Sequence, residues 1–216
     1  MGLHAQKKSF VPTERQTDRI EALREVYFET IEGVSPEDLI FIDETGTNSA
    51  MTPSYGKSPR GRRLYEAKPV QRGRLYTIIG ALSLGGLLTA MTMEGGTTTR
   101  VFAAFVEHLL CPHLRPGHVV VLDNLSAHKN LETRAMIEAK GARVVFLPPY
   151  HPDLNPIEAA WAKLKNTIKK YRPRSLDAID QAVAKAIPTI TDLDAIGWFE
   201  HCGIQVRHTV EQCAIN

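Results

Sequence analysis

Apolar residues recur at helical spacing through residues 14–31, where Ile20, Leu23, Val26, Tyr27 and Ile31 share a face, so the chain is predicted to open with an amphipathic helix. Gly33 and Pro36 end it. Leu39-Ile40-Phe41-Ile42 is a short unbroken apolar run closing on Asp43, the pattern of a buried strand that delivers a carboxylate at its end. Residues 45–74 are rich in Pro, Gly, Ser and Arg and read as a long loop with room for one short strand. Residues 75–84 and 87–93 flank Gly85-Gly86, which predicts a hairpin with both glycines in the turn, since glycine tolerates positive φ. Val101, Phe102, Phe105, Val106, Leu109 and Leu110 mark a helix stopped by Pro112, and Val119-Val120-Val121-Leu122 is a second apolar strand ending on an acid, Asp123. A helix over 129–140 closes at Gly141, and Val144-Val145-Phe146-Leu147 forms another strand. Asn155-Pro156 predicts a helix start, amide at the cap and proline in the first turn, running to about Tyr171; Ser175 and Thr191 cap two more helices. The order strand, hairpin, helix, strand, helix, strand, helix predicts an α/β fold, a mixed β-sheet flanked by helices.

Length changes the picture little. At 216 residues, 43% hydrophobic and 23% charged, the chain holds one substantial domain with appendages, and disorder, collagen and coiled-coil rods are excluded. Three scattered cysteines do not make a disulfide framework, which fits a reducing compartment. Residues 1–10 lack the apolar core of a secretory signal. Residues 75–93 carry no charge, but their glycines, threonines and serines suit strands better than a membrane span. A cytoplasmic protein with no membrane partner is expected.

Charge changes it more. The net charge of +2 conceals two basic segments: residues 57–74 hold seven basic residues against one acid, and residues 163–174 hold six against none, so the rest of the chain is acidic. Such clustering is either the footprint of a polyanion or a solvated face.

The chemistry lies in three acids. Asp43 and Asp123 each follow an apolar strand, and Glu158 falls in the first turn of the helix after the last strand. If the two strands are neighbours, the three carboxylates converge on one point, where mutual repulsion raises their pKa values unless a cation neutralises them. Oxygen-only ligands select Mg²⁺ or Mn²⁺ over zinc. Two such ions, roughly 4 Å apart, clamp the attacking and leaving oxygens of a phosphodiester. Each acid also has a plainer reading: Glu158 as the far half of a capping box begun by Asn155, Asp43 and Asp123 as strand-end turn residues. Asp153, between two prolines, reads as structural.

Three blocks carry a family resemblance. Phe41-Ile42-Asp43-Glu44-Thr45, Val121-Leu122-Asp123-Asn124 with His128-Lys129, and the stretch from Leu147 through Pro148-Pro149-Tyr150-His151-Pro152-Asp153-Leu154-Asn155-Pro156-Ile157 to Glu158 resemble the catalytic blocks of bacterial IS630-type insertion-sequence transposases, relatives of Tc1/mariner elements. The 34 residues between Asp123 and Glu158 are similar to that group's spacing, and the likeness runs from about Lys7 to Gly203. Position 151 is His where the family has Ser, a departure that bears on a DNA contact of that loop. The resemblance implies an RNase H-like fold, with residues 1–36 as a helical lead-in, 37–203 as a catalytic DDE domain and 204–216 as a tail. It implies that Asp43, Asp123 and Glu158 bind two divalent ions, that element ends are cut by metal-activated water, and that the freed 3′-hydroxyl is joined to target DNA, typically at TA. The implied partners are double-stranded DNA, both transposon ends and target, and a second copy of the chain on that DNA, in the nucleoid. A nuclease of the same fold, or a repurposed chain that only binds DNA, are the alternatives.

Candidate DNA contacts are Arg60, Arg62 and Arg63 in the basic loop, His128 and Lys129 after the second acid, and Lys165, Lys169 and Arg172 on the basic helix. His128 equally reads as a capping or core group, and the lysines as an exposed face. Trp161 shares a face with Ile157, Leu164 and Ile168 and reads as core. His201, Cys202, His208 and Cys213 fit no usual zinc spacing, and the Gly95-Gly96-Thr97-Thr98-Thr99 stretch lacks the ending of a phosphate loop. The interval from Thr13 to Asp43 is too short for three recognition helices, so this chain alone is expected to prefer element ends only weakly.

Overall fold

The computed structural model describes residues 12–71 and 73–206. Five strands form one sheet: β1 (Leu39–Asn48), β2 (Leu75–Ser83), β3 (Gly86–Glu94), β4 (Val119–Leu122) and β5 (Arg143–Phe146), in the order β3-β2-β1-β4-β5. The first three run antiparallel, and β1, β4 and β5 run parallel, giving an RNase H-like mixed sheet.

Strand parity builds two cores. Leu39 and Phe41 on β1 face one side with Ile78, Leu82, Val119 and Val121, while Ile40 and Ile42 face the other with Ile79, Val120 and Leu122. The first side is covered by α1 (Asp18–Ile31), α4 (Ile157–Tyr171), α5 (Leu176–Ala186) and α6 (Asp192–His201), the second by α2 (Thr99–Phe105) and α3 (Leu131–Glu138). Each fully buried Leu, Ile or Phe contributes about 1.5–3 kcal/mol, so both faces of the sheet are firmly held.

Several expectations need correction. β1 does not end at Asp43; it continues to Asn48, because β2 pairs with it from Phe41 to Asn48 long after its parallel partner β4 has stopped at Phe41. The hairpin turn lies one residue earlier than the sequence suggests: Ser83 pairs with Gly86, the turn is Leu84-Gly85, and of the two glycines only Gly86 has positive φ, 109°. Gly86 is also required by packing, since a Cβ there would lie 2.7 Å from the Ile190 carbonyl oxygen. The helix beginning at Thr99 loosens into a π-helical turn at Val106–Leu110 before Pro112 stops it. Ser175 and Thr191 cap α5 and α6 as expected, the latter in a capping box with Asp194. Asn155 does not cap α4: Pro156 precedes the helix, no side chain caps it, and the Asn155 side-chain oxygen is buried without a partner.

Candidate active site

Parallel pairing matches Leu39, Ile40 and Phe41 with Val119, Val120 and Val121. Continuing that register two residues brings Asp43 opposite Asp123, both just beyond the last parallel pair. Glu158 reaches the same place from the first turn of α4, whose Ile157, Ala160, Trp161 and Leu164 are fixed in the core under the sheet. All three acids line one cleft of about 310 Å³, with Asn124, Tyr150, His151 and Asn155 among the other walls. Glu158 is exposed and enters no cap, so the capping-box alternative is not what its side chain does.

The Asp43-Glu44 pair is split by strand parity. Asp43 shares the face of Phe41, where the Trp161 indole Nε1 donates to its Oδ2 at 3.1 Å. The indole reaches that oxygen because it lies over Gly80, which is paired with Asp43 on β2; a Cβ on Gly80 would stand 2.6 Å from Trp161 Cη2. Glu44 turns to the opposite face, where its Oε1 meets His128 Nε2 at 2.9 Å, and His128 Nδ1 meets Asp123 Oδ1 at 2.6 Å.

These surroundings set the charges. Burial, with Asp43 only 8% exposed, and the neighbouring Glu158 and Asp123 carboxylates push Asp43 up to about 7, against the lowering effect of the Glu44 amide and Trp161. Burial also acts upward on Asp123, but hydrogen bonds from His128 and the Leu125 amide hold it below the ordinary carboxylate range. Burial would lower His128; its bonds to Asp123 and Glu44 outweigh that and raise it to about 9. Lys165, two turns after Glu158 on α4, is lowered by burial and by Lys169, against the raising effect of the Glu158 and Asp43 carboxylates.

Among the described residues no three His, Cys, Asp or Glu side chains are already gathered tightly enough to grip a metal ion. The three acids stand around the cleft, and two are held by protein partners. The donor set nevertheless fits a hard divalent cation. It is all oxygen, and it leaves repulsion that adds to burial in raising Asp43.

The two basic segments meet in space. Arg172, left-handed at the end of α4, pairs with Glu66 of the basic loop at 2.6 Å, and Arg174 donates to the Met51 carbonyl at 2.8 Å and to Thr52 Oγ1 at 3.1 Å. Arg60, Arg62, Arg63 and Lys129 are exposed, and Lys165 and Lys169 are half-buried. Arg72 lies outside the described residues. His128 is a correction: expected at a phosphate, its side chain is fully buried and engaged at both ring nitrogens, with no surface to offer DNA. His151, in the loop expected near DNA, is likewise buried, its Nδ1 2.8 Å from the Pro149 carbonyl oxygen. Cys202 is buried, its thiol raised to about 11 by burial and the Asp153 charge, unlike a metal-ready thiolate. His208 and Cys213 lie outside the described residues.

A larger cavity of about 850 Å³, between the end of α1 and residues 203–206, carries Glu29, Glu32 and Glu37 but none of the three acids. Among the described residues no helix is long and apolar enough to cross a membrane. Sequence reasoning missed Glu44 and the polar roles of Trp161, His128 and Asn155. Only the Asp-Glu dipeptide carried a signal, since period-two alternation sends adjacent carboxylates to opposite faces.

Residues 38–180 match the family model described as DDE superfamily endonuclease. The chain is 26% identical over 113 residues to an insertion element IS630 uncharacterized 39 kDa protein of Shigella sonnei, an alignment covering 51% of this chain and 33% of that one. Its fold matches the Mos1 transposase in its paired-end complex with left transposon end, TM-score 0.72 at 16% identity, over 94% of this chain and 63% of the other. It also matches the Mos1 transposase catalytic domain with raltegravir and Mg, TM-score 0.63 at 14% identity, over 90% and 94% of the two chains. The chain therefore spans about a third of the curated relative and less than two thirds of the longer Mos1 chain.

Proposed function

The chain belongs to the DDE superfamily endonucleases, and from that premise we propose that it is the catalytic part of a transposase, cleaving DNA strands and joining the freed ends to target DNA. The observation that carries this reading is the convergence of Asp43, Asp123 and Glu158 on one cleft from a strand, a strand end and a helix start. Asp43, Asp123 and Glu158 would hold the divalent cations, Mg²⁺ or Mn²⁺ and two in number. Ions in that position supply Lewis acidity to the scissile phosphate and a water or 3′-hydroxyl nucleophile at neutral pH. Trp161 holds Asp43 through Oδ2, and the exposed Glu158 is free to turn inward. Lys165, on the same helix, adds positive charge for the non-bridging phosphate oxygens.

The substrate is double-stranded DNA, element ends and then target, lying along the surface formed by Arg60, Arg62, Arg63, Lys129, Lys165, Lys169 and Arg172. Contacts of that kind position a duplex and carry little sequence information. By analogy with the fold's paired-end complex, two copies of the chain act together on two ends. The catalytic unit is residues 37–203, with 1–36 leading into it and 204–216 following, and it works in the cytoplasm on the nucleoid. The test is supercoiled plasmid incubated with the protein and Mn²⁺, against Glu158→Gln. Nicked, linear and joined products with the wild type and none with the variant are expected. Cleavage by Glu158→Gln at the wild-type rate overturns the site assignment, and nicks without joining make the chain a nuclease.

A further inference from the structure

Asp123 is gripped from one side only. Its Oδ1 accepts the Leu125 amide at 2.9 Å and faces His128 Nδ1 at 2.6 Å, while among the described residues no hydrogen bond falls on Oδ2. The other His128 nitrogen, Nε2, lies 2.9 Å from Glu44 Oε1, so the ring is held at both ends. The imidazole cannot swing away. It is 1% exposed, packs 4.2 Å from the buried Phe102 ring, and belongs to the 3₁₀ turn Ser126–Lys129 that Asp123 itself leads into.

We infer that His128 is a positioning residue, a two-ended strut between β1 and the end of β4 that commits Asp123 Oδ1 to the protein and leaves Oδ2 facing the cleft. The inference rests on the metal-binding reading above. Glu44 is the anchor of the strut. Its side chain is 10% exposed, its second oxygen is buried without a partner, and two apolar residues would fill the Glu44 and His128 positions at lower cost. A buried, half-satisfied carboxylate kept beside a site is explained when the histidine it fixes has work to do. Carboxylates that bind metal are themselves oriented by hydrogen bonds, and losing those partners commonly weakens the metal about 10- to 100-fold.

Asn and Gln separate the two ends of the strut. An Asn amide nitrogen falls near the place of Nδ1 and can serve Asp123, whereas a Gln amide nitrogen falls near Nε2 and can serve only Glu44. Each variant loses one bond of the pair, so a merely structural histidine predicts equal effects. Mn²⁺ binding to the whole chain is measured by calorimetry beside melting temperature, with Glu158→Gln as the control for the site. His128→Gln should bind Mn²⁺ about 10- to 100-fold more weakly than wild type, and His128→Asn only about threefold more weakly, at similar melting temperatures. Wild-type affinity in folded His128→Gln, or equal losses in both variants, overturns the inference while leaving the metal reading standing. A wild-type chain that binds no Mn²⁺ overturns the metal reading instead. If both variants fail to fold, a crystal structure of the wild type with Mn²⁺ decides: metal on Asp123 Oδ2 with His128 on Oδ1 supports the strut, and metal on Oδ1 overturns it.

Discussion

Replacing Asp43 with Asn should stabilise the metal-free protein, and by an amount that grows with pH. A carboxyl with an unfolded pKa near 3.9 that is pushed up to about 7 in the fold opposes folding whenever it must ionise. Below about pH 4 the group is protonated in both states and has no effect. As pH rises toward 7 the unfolded chain gains increasingly by ionising first, and above 7 the penalty levels off. Linkage puts it at about 1.5 kcal/mol at pH 5 and about 4 kcal/mol at pH 8. Asn removes the ionisation and keeps an oxygen for the Trp161 donor, so most of that difference should appear in the variant. Urea unfolding of both proteins in chelator at pH 5 and pH 8 measures it. At about 2–4 °C per kcal/mol for a chain of this size, the pH 8 difference corresponds to roughly 10 °C in melting temperature. Mn²⁺ should then narrow the gap by stabilising the wild type alone, by about 2.7 kcal/mol at a hundred times its dissociation constant, which outweighs the pH 5 difference, and by about 4.1 kcal/mol at a thousand times, which cancels the pH 8 one. A pH-independent difference, or an Asn variant less stable at pH 8, would refute the reasoning.

Gly80→Ala should cost about 1–3 kcal/mol by driving a methyl into the Trp161 ring, and should break the Trp161–Asp43 bond, read as loss of stability with a red-shifted tryptophan emission; unchanged stability and emission would show that the notch is not filled. Lys165→Ala with Lys169→Ala should reduce the salt slope of duplex DNA binding by about 0.9 per residue on all sequences alike, and an unchanged slope returns this face to solvent. Asp194, lowered to about 2 chiefly by Lys163 and the Thr191 amide, is depressed in the fold, so its contribution is present above about pH 4 and disappears as pH falls toward 2. Asp194→Asn should therefore destabilise by about 1 kcal/mol at pH 7, after allowance for solvent screening, and by nothing near pH 2.

The parallel strands were legible because burial on both faces leaves unbroken apolar runs, and two of those runs, 39–42 and 119–122, stop at Asp43 and Asp123. Legibility stopped where a partner distant in sequence decides the outcome. Asp43 reads as a strand end, yet β2, more than thirty residues on, extends β1 past it. Trp161 reads as core and is core, but its polar edge finds Asp43 only because a glycine on another strand makes room. His128 carries no local mark that distinguishes a DNA contact from a buried strut; the face of β1 that Glu44 occupies settles that. Asn155 misled for a different reason: the prolines around it dictate the backbone of the turn, so α4 starts one residue later and leaves the side-chain oxygen buried without a partner.

The dispersal of the three acids along the chain has a consequence for the cell that makes it. Asp43 and Asp123 come together only through the parallel pairing of β1 with β4, a contact spanning eighty residues that topology makes slow to form, and Glu158 joins them only once α4 has packed under the sheet. A chain emerging from the ribosome thus carries its basic loop well before it carries a complete acidic cleft. On the proposed function, nascent or half-folded molecules would have the charge to hold DNA but no complete acidic cleft, and strand breakage would be withheld until synthesis has passed α4 and the sheet has closed.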